Sequence, residues 1–185
     1  MLPAADDGTV SARRVTTTAL FAALLAVSAT IAIPFGTVPA TMQVLVVVLI
    51  ALVLPRGRAA FAVAVYLLVG AVGLPVFSGL RGGLSVLAGP TGGYLIGFLL
   101  AAPAGAWVRG MLSRTVASVT VVDSVTAIVV VVIVYAVGWE QLVLVSGMDP
   151  IVALGAGVVP FLLPDGLKAA AAVLLAPVVR RAAGV

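Results

Sequence analysis

The chain holds no cysteine and no histidine among its 185 residues. Without thiols there is no disulfide framework. Without imidazole or thiolate there is neither a zinc site of the usual kind nor Cys- or His-based catalysis. Charge is nearly as scarce: charged residues make up 9% of the chain, against 63% hydrophobic. A soluble domain carries roughly a quarter charged residues, so this chain has too little polar surface to coat a globule in water. No G-x-x-x-x-G-K-[ST] motif occurs, which leaves no loop built to cradle a nucleotide's phosphates. What these absences leave is an all-α integral membrane protein folded as one bundle. The net charge of +4, which in a soluble chain points to nucleic acid, here reflects the bias of basic loops toward the cytoplasm.

Glycine, by contrast, is concentrated. The stretch from Gly73 to Phe98, GLPVFSGLRGGLSVLAGPTGGYLIGF, is glycine-rich, contains Pro75 and Pro90, and lies between two apolar runs. It is too apolar for a flexible linker and reads as irregular backbone packed inside the protein. From its second half, Gly89, Gly93, Gly97, Ala101 and Gly105 recur every four residues. Such a stripe predicts a helix pressed closely against a neighbour, with Pro103 as a kink site.

Six apolar runs are long or apolar enough to be membrane helices, at about 15–33, 41–54, 59–72, 92–108, 116–139 and 151–179. Residues 1–14 form a cytoplasmic tail, polar and disordered over the first twelve; 15–181 form the membrane domain; 182–185 close the chain as a second cytoplasmic tail. Ile33 to Ala40 and Glu140 to Pro150 read as loops from their prolines and polar residues. Two arginines sit at the N-terminal end (Arg13, Arg14), two in the second loop (Arg56, Arg58), two in the fourth (Arg109, Arg114) and two after the last run (Arg180, Arg181). The intervening loops carry Arg81 alone. Six spans with both termini in the cytoplasm satisfy this alternation, and the glycine-rich segment between helices 3 and 4 then faces outward.

Asp165 and Lys168 lie within the sixth run at i and i+3, on one helix face. A charge at bilayer depth costs about 3 kcal/mol even on lenient scales. Self-neutralisation is one reading of the pair. A cavity is the other, because Pro164 suits the first turn of a helix that restarts beside Asp165. Arg81 either snorkels to lipid headgroups or offers its guanidinium fork to a carboxylate or urea-type carbonyl. Asp123, near the cytoplasmic end of the fifth run, has Arg109 or Arg114 as its expected partner and reads as structural. Tyr94, Tyr135 and Trp139 are candidate ring walls, with Trp139 equally an interfacial residue. Ala19/Ala23 and Ala22/Ala26 in the first run allow close helix approach.

GLPVF (Gly73 to Phe77), the following GLRGGL, GPTGGYLIGF (Gly89 to Phe98) and the PFL…D-x-x-K of Pro160 to Lys168 resemble the signature segments of the BioY family. These are the biotin-binding S components of energy-coupling-factor transporters. The family's P-F-L-P-G-D reads PFLLPDGLK here. The resemblance implies six membrane helices and a biotin pocket toward the outside, with no bound cofactor, no metal and no enzymatic activity. It implies biotin as substrate and separate coupling and ATPase subunits as partners, docked on Ala19, Ala22, Ala23 and Ala26. Biotin has two ureido N–H groups, a ureido carbonyl, a thioether ring and a carboxylate. Asp165 is suited to accept from an N–H, and Lys168 and Arg81 to donate to either oxygen-bearing group. Thr91, Tyr94 and Gln43 are secondary polar candidates, and Phe77 and Tyr94 candidate covers for the thioether ring. Three rivals stand: a transporter for another vitamin; an intramembrane enzyme using Asp123 or Asp165, disfavoured because no matched second carboxylate accompanies either; and a purely structural membrane protein, which leaves the Asp165–Lys168 pair and the glycine-rich stretch without a purpose.

Overall fold

Helix is what an apolar chain must form wherever no water is present to satisfy its backbone, and this chain is mostly helix. The structure, a computed structural model, describes residues 7–33 and 38–184, with side chains from residue 12 onward. Among the described residues, α1 is Asp7–Thr30, α2 Gln43–Val53, α3 Arg56–Ala71, α4 Leu84–Ala88, α5 Gly92–Leu112, α6 Val119–Ser146, α7 Pro150–Gly157 and α8 Leu162–Ala183. A single 3₁₀ turn, Val159–Phe161, joins the last two. The six expected apolar runs each form helix. The sixth is broken into α7 and α8 where Pro160 falls, and α4 is an added short helix within the glycine-rich segment.

Helix boundaries differ from the expected ones where local chemistry overrides hydropathy. The N-terminal segment is helical from Asp7, inside the stretch expected to be a tail. Its threonines do not interrupt it, since Thr16, Thr17 and Thr18 return their hydroxyls to the carbonyls of Ala12, Arg13 and Arg14 at 2.8–2.9 Å. α6 runs seven residues past Trp139, through much of the expected loop, and stops at Gly147, which takes φ 67° as a left-handed cap. α8 likewise ends at Gly184, φ 64°, within the expected C-terminal tail. The first loop contains a minimal antiparallel ladder pairing Ala32–Ile33 with Ala40–Thr41. The tip of that loop, 34–37, and residues 1–6 of the tail lie outside the described residues.

α2 is the centre of the bundle. Every side chain from Val46 to Leu54 is at most 5% exposed, the pattern of a helix that is apolar all round. It packs against α8, α5, α6 and α1, while α3 lies on α5 and α1. The closest pairing is α5 on α6, and the glycine stripe makes it. A Cβ on Gly97 would lie 3.1 Å from the Val134 backbone, one on Gly93 2.6 Å from the Val137 carbonyl, and one on Gly105 would meet the Val130 side chain. The outer surface is apolar, with Leu20, Phe61, Leu100, Ile128, Leu163 and Leu174 exposed. Three stretches, Gly92–Leu112, Val119–Ser146 and Pro150–Ala183, have the length and composition to cross a membrane, and Gln43–Val53 is a shorter apolar helix.

One end of the bundle gathers arginines. Asp123 is 1% exposed and holds Arg109 Nε at 2.8 Å and Arg180 Nη2 at 2.8 Å. Arg180 also donates to the Leu52 carbonyl at 3.1 Å, and Arg13 to that of Ala182 at 3.3 Å. The partners of Asp123 are therefore Arg109, one of the two expected, and in addition Arg180. These bonds tie together the start of α6 and the ends of α2, α5 and α8. Asp123→Ala leaves two partly buried guanidiniums uncompensated, a loss on the order of 3–5 kcal/mol. The variant is expected to show a clearly lowered thermal midpoint in detergent, read from the temperature at which monodisperse protein is lost; an unchanged midpoint removes the structural role.

Candidate functional site

At the opposite end of the bundle, a cavity of about 60 Å³ lies between the first loop, the glycine-rich segment and α5, α6 and α8. Its walls are mostly apolar, from Val38, Val44, Phe77, Leu95, Phe98 and Val134, with polar groups at a few points.

Asp165 forms one of those points. The chain breaks after α7 because Pro160 cannot continue a helix, and Pro164 then falls in the first turn of α8, where its missing N–H is harmless. Asp165 therefore sits in the first turn, where the helix dipole favours a negative charge. The carboxylate is 5% exposed. Its Oδ1 accepts from Lys168 Nζ at 2.7 Å, and its Oδ2 accepts from the Tyr135 hydroxyl at 2.9 Å. Asp165 and Tyr135 line the cavity, and Lys168 is bonded to Asp165.

Arg81 lines the same cavity from the glycine-rich segment. That segment folds back on itself: the Phe77 and Arg81 backbones pair across a turn in which Gly79 and Leu80 both take positive φ, 72° and 54°. Leu80 holds this left-handed conformation without being glycine and points outward, 65% exposed. The Arg81 side chain is exposed, and its Nε donates to the Ser78 carbonyl at 3.1 Å. The ring of Phe77 is seated directly on Gly70 and meets Tyr66 edge-on, with centroids 5.5 Å apart.

The remaining polar groups are held by networks. Gln43 accepts at Oε1 from Thr41 Oγ1 (3.0 Å) and donates from Nε2 to the Tyr66 hydroxyl (2.8 Å), which in turn donates to the Val76 carbonyl at 3.2 Å. This fixes the amide of Gln43 at the cavity wall and ties the Gly73–Phe77 segment to α3. Tyr94 lays its ring on Gly138 and gives its hydroxyl to the Gly157 carbonyl at 2.8 Å, satisfying a carbonyl at the end of α7. Thr91 lines the cavity just before α5.

Six of the seven residues expected at the site, Arg81, Asp165, Tyr94, Thr91, Gln43 and Phe77, thus line one cavity, and the seventh, Lys168, reaches it through Asp165. Trp139 does not line it; its indole N–H is given to the Pro150 carbonyl at 3.0 Å. Sequence reasoning did not find Tyr66 or Gln141. Gln141 Nε2 donates to the carbonyls of both Leu87 and Gly89, at 2.7 and 2.8 Å, closing the end of the five-residue α4. The available signal was a lone amide in an apolar run, since a part-buried amide there must find partners. Of the four alanines of α1, Ala22 is buried at 6% and Ala26 packs against the core, whereas Ala19 and Ala23 are exposed.

The family model of BioY matches residues 4–184. The chain belongs to the BioY family. It is 37% identical over 167 residues to a probable biotin transporter BioY of Pyrococcus horikoshii, covering 90% of this chain and 96% of that one. It is 53% identical over 95 residues to the biotin transporter BioY of Thermotoga maritima, covering 51% and 54%. A crystal structure of the S-component for biotin from an ECF-type ABC transporter superposes with a TM-score of 0.88, at 23% identity, covering 96% of this chain and 95% of that one, so the two share a fold. In this BioY chain the signature segments become the two sides of the cavity: GLPVF and GLRGGL supply Phe77 and Arg81, GPTGGYLIGF supplies Thr91 and Tyr94, and the D-x-x-K supplies Asp165.

Gln141→Leu removes both donors that hold the end of α4. Each such bond contributes about 1 kcal/mol net, so amide hydrogen exchange across residues 84–91 is expected to speed up by about tenfold or more while exchange in α2 stays unchanged. Equal protection of 84–91 in both proteins overturns the clamp.

Proposed function

We propose that this chain is the substrate-capture subunit of a membrane biotin transporter, taking biotin from the outer side and delivering it inward. The family membership and the biotin transporters among its relatives support the class. The observation that carries the reading is a single cavity with an anchored carboxylate, Asp165, on one wall and a guanidinium, Arg81, on another. Biotin is complementary to it. Asp165 accepts a ureido N–H. Arg81, the cation that faces the cavity, takes the carboxylate by a bidentate pair. Lys168 serves the site by holding Asp165 Oδ1 at 2.7 Å. Thr91, Gln43 and Tyr94 add polar contacts, and the apolar wall at Phe77 covers the thioether ring.

The helical runs cross the membrane six times, with α7 and α8 forming the last span and both termini in the cytoplasm. Supporting this, the arginine-bearing ends of α1, α5 and α8 meet at one end of the bundle while the cavity lies at the other. No segment of the chain carries a nucleotide-cradling motif, so energy enters through separate ATPase subunits and a coupling subunit. The outward face of α1, with Ala19 and Ala23 between apolar neighbours, is the surface for that coupling subunit; Ala22 and Ala26 serve the internal packing of α1 instead. An enzymatic reading has no support in the geometry, because Asp123 is locked between two arginines at the far end from Asp165.

Radiolabelled biotin binding to the detergent-purified chain tests the reading. Asp165→Asn is expected to weaken binding by tenfold or more, in line with roughly 2 kcal/mol for a buried charged hydrogen-bond partner. Lys168→Ala is expected to do the same by leaving Asp165 buried without its cation. Excess unlabelled vitamins of other structure are expected to leave the bound label in place. Displacement by one of them, or undiminished binding in both variants, rejects the assignment.

A further inference from the structure

Both oxygens of Asp165 are engaged before any ligand arrives: Oδ1 by Lys168 at 2.7 Å and Oδ2 by Tyr135 at 2.9 Å. A carboxylate paired with an ammonium is ionised and has no hydrogen to give. The hydrogen in the 2.9 Å contact therefore belongs to Tyr135. A phenol has one hydrogen, and with it committed to Asp165 the tyrosine oxygen meets any other group as an acceptor. Tyr135 is 9% exposed, lines the cavity beside Asp165, and comes from α6 whereas Asp165 comes from α8. Where they meet, the cavity wall carries two adjacent oxygens, that of Tyr135 and Oδ2 of Asp165.

We propose that Tyr135 is a specificity-determining positioning residue of the site: its hydroxyl, held as a donor to Asp165 Oδ2, fixes the carboxylate across the α6–α8 contact and makes this part of the cavity read a single ligand N–H. The spacing sets the number. The two N–H groups of a cyclic urea point away from each other on opposite sides of the carbonyl. Acceptors 2.9 Å apart are too close together to serve both. They serve one, and the second N–H of the ring is not read here. A ligand presenting a carbonyl or ether oxygen to the Tyr135 oxygen and Asp165 Oδ2 meets oxygen with oxygen and forgoes the hydrogen bond an N–H makes there.

The inference rests on the biotin reading and has its own test. Affinity is measured on the purified full chain for biotin and for its two cyclic carbamate analogues, each with one ring N–H replaced by oxygen. Tyr135→Phe keeps the ring and removes only the hydroxyl. It is expected to weaken biotin by about tenfold, the scale of one hydrogen bond to a charged group. The carbamate that lacks the N–H read at this wall is expected to lose less than twofold from the same substitution, and the other carbamate the full tenfold. On an Asp165→Asn background, Tyr135→Phe is expected to cost biotin less than twofold, because the tyrosine acts through the carboxylate. An equal loss for all three ligands, or additive losses in the double variant, makes Tyr135 a packing residue and overturns the proposal. A wild-type chain that binds no biotin overturns the functional reading instead.

Discussion

The close approach of α5 to α6 is the constraint on which the rest of the molecule depends. At Gly93 and Gly97 no side chain separates the two helices, and any Cβ would press on the backbone of Val137 or Val134. In a bilayer, where apolar side chains gain little by leaving lipid, such packing is a main source of helix association. Its consequences are local and chemical. With the helices this close, Tyr94 on α5 lies flat on Gly138 and reaches the end of α7, and Gln141 on α6 reaches across to the carbonyls that end α4. Bulkier residues in the stripe would widen the seam and move both walls of the cavity away from Asp165.

Two buried carboxylates show how the same group becomes inert or available. Asp123 has an arginine on each oxygen, and the Arg180 guanidinium is itself tied to the Leu52 carbonyl at the end of α2. It has no role left except to hold α5, α6 and α8 together. Asp165 has one cation, on Oδ1, and a neutral phenol on the other oxygen. A second cation in place of Tyr135 would neutralise the group as Asp123 is neutralised, and would confront a ligand with donors. The neutral partner orients the carboxylate and leaves its charge to act on the cavity.

Much of this was legible in the sequence because membrane residence reduces the alternatives. Apolar runs had to be helices, the arginine alternation ordered the loops, and charges inside apolar runs marked sites, so Arg81, Asp165 and Lys168 stood out before any coordinates. What stayed hidden depends on partners far apart in the chain. Nothing in the local pattern around Tyr135 says that its hydroxyl meets a residue 30 positions later, and nothing around Arg180 says that it becomes a second partner of Asp123. Helix ends were also misplaced wherever a glycine cap, as at Gly147, or threonine back-bonding, as at Thr16 to Thr18, outweighed polarity. The i,i+3 spacing gives Asp165 and Lys168 a shared face, and their heads pair at 2.7 Å.

The break between α7 and α8 joins these two levels. An unbroken helix from Pro150 to Ala183 would satisfy every backbone group, yet it would place Asp165 in mid-helix with no dipole to favour its charge. The break at Val158–Phe161 exposes the last carbonyls of α7 and opens the first turn of α8. One of those carbonyls, that of Gly157, is taken by Tyr94, and Gly157 itself lines the cavity because the tyrosine oxygen occupies the space a side chain would fill. The prolines at 160 and 164 thus do two things at once. They stop one helix where a cavity wall needs thin backbone, and they start the next so that its first acidic residue faces the same space. Interrupted helices are tolerated at membrane depth where they line a cavity, and here the interruption supplies the site's anchoring charge.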